Sequence, residues 1–115
     1  MKIKIIKSYK TFYPNPIILN PGDKILLGEE EKEEKWLGWI FCEFKGNKGW
    51  VPKSIIETMD NVHGVITEYY SAKELDVNEG EVLEYIKTLN GWLLLKNQKG
   101  ETGWVPQENT EPLYS

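Results

Sequence analysis

Apolar and polar residues alternate over short stretches of this chain, and no stretch sustains the 3.6-residue apolar spacing of an amphipathic helix. The alternation is sharpest at Gly49-Trp50-Val51-Pro52, which returns as Gly103-Trp104-Val105-Pro106. Successive side chains of a strand point to opposite faces, so a core-facing Val51 or Val105 turns its neighbouring Trp and Pro outward together. Further strands are predicted over Trp39 to Phe44 and Trp92 to Lys96, over Lys24-Ile25-Leu26-Leu27 behind a Gly22-Asp23 turn, and over Val82 to Ile86 behind Gly80-Glu81. Lys45 to Gly49 and Asn97 to Glu101 hold the Gly and Asn that tight connections need. Pro52 and Pro106 lack an amide donor and belong at strand ends. The charged run Glu29 to Lys35 has no apolar face and reads as a solvated loop.

Laid in order, these pieces occur twice. Gly38 to Cys42 lies over Gly91 to Leu95, Ile17 to Asp23 over Leu75 to Glu81, and Ile5-Ile6-Lys7-Ser8-Tyr9 over Val65-Ile66-Thr67-Glu68-Tyr69. Four matched blocks in one order make an internal duplication. The expected organisation is an all-β chain of two small domains, 1–58 and 59–115, joined near Thr58 to Gly64. Units of this size bury only about 60% of their unfolded surface, which makes each marginal on its own.

Charge narrows the partners. All 14 cations are Lys, so the planar fork that reads phosphates and guanine edges is missing. The net charge is −4, with +2 on residues 1–58 (10 Lys, 8 acids) and −6 on 59–115 (4 Lys, 10 acids). That balance disfavours nucleic acid and suits a basic peptide. No apolar run approaches the roughly 20 residues that span a bilayer, and the first six residues lack a signal peptide's apolar block, so no membrane association and a cytoplasmic location are expected.

Catalytic chemistry finds little to work with. His63 is the only imidazole and Cys42 the only thiol, too few for a zinc site or a His-activated nucleophile, and neither a metal nor another cofactor is expected. Cys42 falls where the second copy has Leu95, which reads as a small buried side chain. A non-enzymatic protein is expected.

Glu74-Leu75-Asp76-Val77-Asn78-Glu79-Gly80-Glu81, Gly91-Trp92-Leu93-Leu94 and Gly103-Trp104-Val105-Pro106 resemble, in order and spacing, the signature of Src homology 3 (SH3) domains. The first copy is similar to the variant form found in small bacterial tandem proteins, through Tyr13 to Ile17, Gly22-Asp23, Trp36 to Trp39 and Gly49 to Pro52. The resemblance implies a five-stranded, partly open β-barrel per copy and a shallow peptide groove. Carried over, that groove uses Tyr9, Trp39, Trp50 and Pro52 in the first copy and Tyr69, Trp92, Trp104 and Pro106 in the second.

The sequence departs from the family at four groove positions. Lys7 and Thr67 stand where the family has its first groove tyrosine, and Ile55 and Asn109 where it has its last. Glu74 and Asp76 remain to meet a basic ligand residue. Two readings follow. In one, the outward Trp and Pro bind an extended, proline-rich or basic peptide of a partner protein. In the other, these aromatics, with Phe12, Tyr13 and Trp36, are buried between barrels or in a homo-oligomer, and the protein is a scaffold.

Overall fold

The computed structural model describes residues 1–11, 15–34 and 37–113; the expectations placed on Phe12, Tyr13 and Trp36 lie outside the described residues. The described chain is nearly all β, as its patterning predicts. Its strands are β1 (Lys2–Ile5), β2 (Ile18–Leu19), β3 (Lys24–Glu30), β4 (Trp39–Phe44), β5 (Asn47–Pro52), β6 (Ile56–Thr58), β7 (His63–Ile66), β8 (Tyr70–Ser71), β9 (Val82–Leu89), β10 (Trp92–Lys96), β11 (Thr102–Pro106) and β12 (Thr110–Leu113). Single 3₁₀ turns, Lys53–Ile55 and Gln107–Asn109, follow the two closing prolines.

The chain condenses into two units, and they do not coincide with the repeats. Unit 1 is Met1–Pro14 with Lys73–Ser115; unit 2 is the continuous segment Asn15–Ala72. The division at 1–58 and 59–115 is therefore a division of the duplicated sequence and not of the compact bodies. Unit 1 holds a five-stranded sheet ordered β11-β10-β9-β1-β12, and unit 2 one ordered β5-β4-β3-β7-β6. Every strand pair is antiparallel.

Register shows what has been traded. Ile25 and Leu83 hold equivalent places, each three residues beyond the glycine of its Gly-Asp or Gly-Glu turn. Leu83 pairs with Ile3 on β1, whereas Ile25 pairs with Gly64 on β7. A strand from the second repeat thus fills in unit 2 the slot that a strand from the first repeat fills in unit 1. The stretch expected to join two domains is instead a hairpin inside unit 2, since β6 pairs with β7 and the amides of Val62 and His63 donate to the Asp60 carboxylate at 2.8 and 2.7 Å.

The two ends of unit 2 lie together. Ile18 pairs with Ser71, and the Ala72 amide donates to the Ile17 carbonyl at 2.9 Å. A body whose ends meet can interrupt a loop of another without stretching it. Unit 2 is in this sense a permuted barrel set into the first long loop of unit 1.

Each core is filled from the alternation. Ile3, Ile5, Leu75, Val77, Leu83, Leu93, Leu95 and Val105 form the core of unit 1. In unit 2 Ile17, Leu19, Ile25, Ile40, Cys42, Val51, Ile55 and Ile66 are buried. Val51 and Val105 are 0% exposed, so the inward half of the Gly-Trp-Val-Pro prediction holds. The glycines before them are forced by packing. A Cβ on Gly49 would stand 2.8 Å from Ile17 Cγ2, and one on Gly103 would stand 2.8 Å from Leu75 Cγ and 3.0 Å from the Leu75 amide nitrogen. The turns Lys45-Gly46 and Asn90-Gly91 have positive φ at both residues, the two-residue hairpin form, so β5 begins at Asn47, two residues earlier than the sequence suggests.

Candidate aromatic binding faces

On unit 2 the strands β4 and β5 carry one aromatic face. Trp39 pairs with Pro52 and Phe41 with Trp50, and all four lie opposite the core-facing Ile40, Cys42 and Val51. Phe41 and Trp50 meet edge to face with centroids 5.1 Å apart. The third strand on this face is β8. Tyr70 places its ring 6.4 Å from Trp39 and donates its hydroxyl to the Trp50 carbonyl at 3.0 Å.

Here one expected residue is displaced. Tyr69, aligned with Tyr9 in the sequence, is 60% exposed and points away, while Tyr70 takes the position. Ile5 and Ile66 are the equivalent residues, because each accepts from the turn glycine (Gly80 and Gly22) and donates to the acid beside it (Glu81 and Asp23). Four residues beyond them stand Tyr9 and Tyr70. A slip of one residue in a strand reverses every side chain, and the aligned tyrosine lands in solvent.

On unit 1 the equivalent face is built by β10, β11 and the stretch after β1. Trp92 pairs with Pro106 and Leu94 with Trp104. Tyr9 comes from the first repeat and packs edge-on to Trp92, with centroids 5.9 Å apart and planes at 80°. Its hydroxyl donates to Glu74 Oε1 at 2.6 Å, a charge-assisted bond that sets the ring's rotation. The ammonium of Lys87 stands 5.9 Å above the Trp104 ring. Tyr9 therefore joins Trp92, Trp104 and Pro106, and not Trp39, Trp50 and Pro52, with which the sequence groups it.

Exposure separates the two faces. Tyr9 and Trp92 are both half-buried, whereas Trp39 is 6% and Tyr70 7% exposed. Trp104, Pro52 and Pro106 are also buried, so the expected outward placement is corrected for these three, while Trp50 is half-buried. The cause is lateral packing. Cross-strand neighbours stand about 5 Å apart, so large rings on one face cover each other and the prolines between them. On Trp104 the 73–75 stretch adds cover, with the Trp104 amide donating to the Lys73 carbonyl at 2.9 Å and the Leu75 amide returning to the Trp104 carbonyl at 3.1 Å.

Neighbouring polar groups hold these faces in place. Asp76, expected to face a ligand, accepts the Thr11 amide at 2.9 Å and anchors the chain beyond Tyr9. Asn109 is buried and donates its side-chain amide to the carbonyls of Lys7 and Ser8 at 3.1 and 3.2 Å, while its own carbonyl accepts from the Ile6 amide at 2.8 Å. In unit 2 the Ile55 carbonyl does the corresponding work, accepting from Thr67 through both its amide and Oγ1. The sequence flags Asn109 only for not being tyrosine. Its structural use is visible only once the bend at Lys7-Ser8 is seen.

Among the described residues no three His, Cys, Asp or Glu side chains gather as a metal site. Burial pushes the Cys42 thiol up to about 12, so it stays protonated inside the unit 2 core. No helix among the described residues is long and apolar enough to cross a membrane.

Family models match the chain repeat by repeat, not unit by unit. A family model described as the variant SH3 domain matches residues 2–58, and one described as the bacterial SH3 domain matches residues 67–112. Epidermal growth factor receptor kinase substrate 8-like protein 3 of Mus musculus is 44% identical over 46 residues, covering 40% of this chain and 8% of that protein. SH3 and PX domain-containing protein 2B of Homo sapiens is 26% identical over 118 residues, covering 89% of this chain and 12% of that protein; its Mus musculus counterpart is 25% identical over the same span. The chain thus spans about a tenth of the length of these relatives.

Proposed function

Because this chain belongs to the SH3 families, as a variant SH3 domain followed by a bacterial one, we propose that it is a non-enzymatic, cytoplasmic protein-interaction module that binds an extended, proline-rich or basic peptide of a partner protein. The observation that supports this is the half-buried Tyr9–Trp92 pair on unit 1. Two half-buried rings packed edge to face offer an aromatic surface of the kind on which an extended proline-containing segment docks with little loss of entropy. Glu74, at the Tyr9 hydroxyl, places a carboxylate beside that surface for a basic ligand residue. The face on unit 2 offers less, since its Trp39 and Tyr70 are already covered and Phe41 and Trp50 remain half-exposed.

Amide-shift titration of the full chain with a mixed proline-rich peptide pool tests the reading. Shifts gathered around Tyr9, Trp92 and Glu74, and lost in Trp92→Ala, support it. Saturable shifts around Phe41 and Trp50 alone move the site to unit 2, and a flat titration with both basic and neutral peptides rejects peptide binding.

The burial of Trp39 and Trp104 favours a second reading for those two residues, in which they stabilise the protein and do not touch a ligand. Acrylamide quenching separates the roles. Trp39 and Trp104 then stay unquenched in single-tryptophan variants, whereas Trp92 is quenched and becomes protected when peptide is added.

A further inference from the structure

One row of paired residues crosses the unit 1 face from charge to charge. Lys87 on β9 pairs with Leu94, Leu94 with Trp104, and Trp104 bridges to Glu74. Directly paired residues share a face, and this one lies opposite the buried Leu93, Leu95 and Val105. Trp92, two residues before Leu94 on β10, projects to the same side, and Tyr9 packs on it. At one end of the row the half-buried Glu74 accepts from the Tyr9 hydroxyl at 2.6 Å. From the other end Lys87 reaches over Trp104, its ammonium 5.9 Å from the ring centre.

Among the described residues neither charge forms an ion pair. The ring attracts the ammonium without taking any of its N–H donors, so exposed Lys87 remains able to meet a carboxylate. A carboxylate accepts several hydrogen bonds, so Glu74 keeps acceptor capacity beyond the one from Tyr9. Unit 2 has no such row. Phe41 and Trp50 repeat Leu94 and Trp104, but Pro16 stands where unit 1 has Glu74. Between its Leu27–Cys42 and Glu30–Ile40 pairs, β3 passes Phe41 with Gly28 and Glu29 and offers no lysine.

Three strand spacings of about 4.8 Å put the ends of the row about 14 Å apart, which an extended segment rising about 3.1 Å per residue crosses in about four to five residues. The lean of Lys87 back over Trp104 shortens that span. We propose that Lys87 is a specificity-determining residue: the unit 1 face selects an extended peptide with an acidic residue about four positions from its basic one, the acid meeting Lys87 and the base meeting Glu74. This rests on the peptide binding proposed above and adds to it a requirement for both charges.

Titration of the full chain with three capped synthetic peptides, read at the Trp92 indole, tests it. All share a Pro-Ala-Pro centre with Lys on one side and Glu, Gln or Lys on the other, each made in both orders of its flanking residues. The Lys/Glu peptide binds about two- to fivefold more tightly than the Lys/Gln peptide, the range of an exposed ion pair, and the advantage shrinks at high salt. Lys87→Gln removes the advantage, and Lys87→Glu transfers it to the Lys/Lys peptide. A lysine that merely covers Trp104 would produce no such transfer. Lys99→Gln, an equal loss of charge in the Asn97 to Gly100 turn, leaves the ranking unchanged. Equal binding of the Lys/Glu and Lys/Gln peptides, or a preference that survives Lys87→Gln, overturns the proposal and leaves peptide binding standing. Failure of all three peptides to bind rejects the peptide-binding function, and the proposal falls with it.

Discussion

The hydroxyl of Tyr70 donates to the carbonyl oxygen of Trp50 at 3.0 Å, and the same ring lies against Trp39. Tyr69, one residue earlier, is largely in water. Tyr70→Ala is expected to cost about 3–5 kcal/mol, as for other buried aromatics, and Tyr69→Ala to stay within about 0.5 kcal/mol of the parent. Urea titrations of the two variants check this; equal effects would refute the register described for β8.

Gly49 and Gly103 are equivalent, but an added methyl meets different atoms. At Gly49 it meets the Ile17 side chain, which has some freedom to yield; at Gly103 it also meets the backbone of Glu74 and Leu75. Both Ala substitutions destabilise by about 1–3 kcal/mol, and Gly103→Ala by the larger amount. Thermal melts of the pair rank them, and the reverse order would count against the packing of the 73–75 stretch on β11.

Replacing Asn109 by Leu leaves the carbonyls of Lys7 and Ser8 without their buried donor. The expected loss is about 1–3 kcal/mol despite the gain in apolar volume. Asn109→Leu as stable as the parent would remove the clasp from the account of β1.

The Asp60 carboxyl is held below its ordinary value, first by the Val62 amide and then by His63, which bonds it through side chain and backbone. A depressed native-state value means that the contribution of this turn is complete above the unfolded value of about 3.9 and is lost as pH falls through the native one. Exchange of the Val62 and His63 amides is therefore expected to accelerate, relative to an Asp60→Asn control, only below about pH 4. Acceleration of the same size in the Asp60→Asn control would assign the effect to another group.

Much of the architecture was legible because it rests on local chemistry. Val51 and Val105 had to face inward, Gly22-Asp23 and Gly80-Glu81 had to turn, and Cys42 matched a leucine. The faces were legible in their Trp and Pro members, which sit on long strands with fixed register. The tyrosines were not, for two reasons. The Tyr69-Tyr70 doublet fits either of two registers, and only the hydrogen bonds of Ile66 to Gly22 and Asp23 decide between them. Which tyrosine serves which tryptophan depends on which strand fills which slot, and two copies with similar patterns specify both answers equally well. The exposure of the Trp-Pro pairs was overestimated because alternation gives the side of the sheet and says nothing of what lies beside a ring on that side.

The pairing of Leu83 with Ile3, and of Ile25 with the strand that carries Ile66, has a consequence for descent. Duplicated segments ordinarily drift apart, each adjusting to its own neighbours. Here a substitution in 1–14 or 59–72 alters the interior of a body made mostly from the other half, so its compensating changes are expected to fall in that opposite half. The two halves are bound to evolve as one.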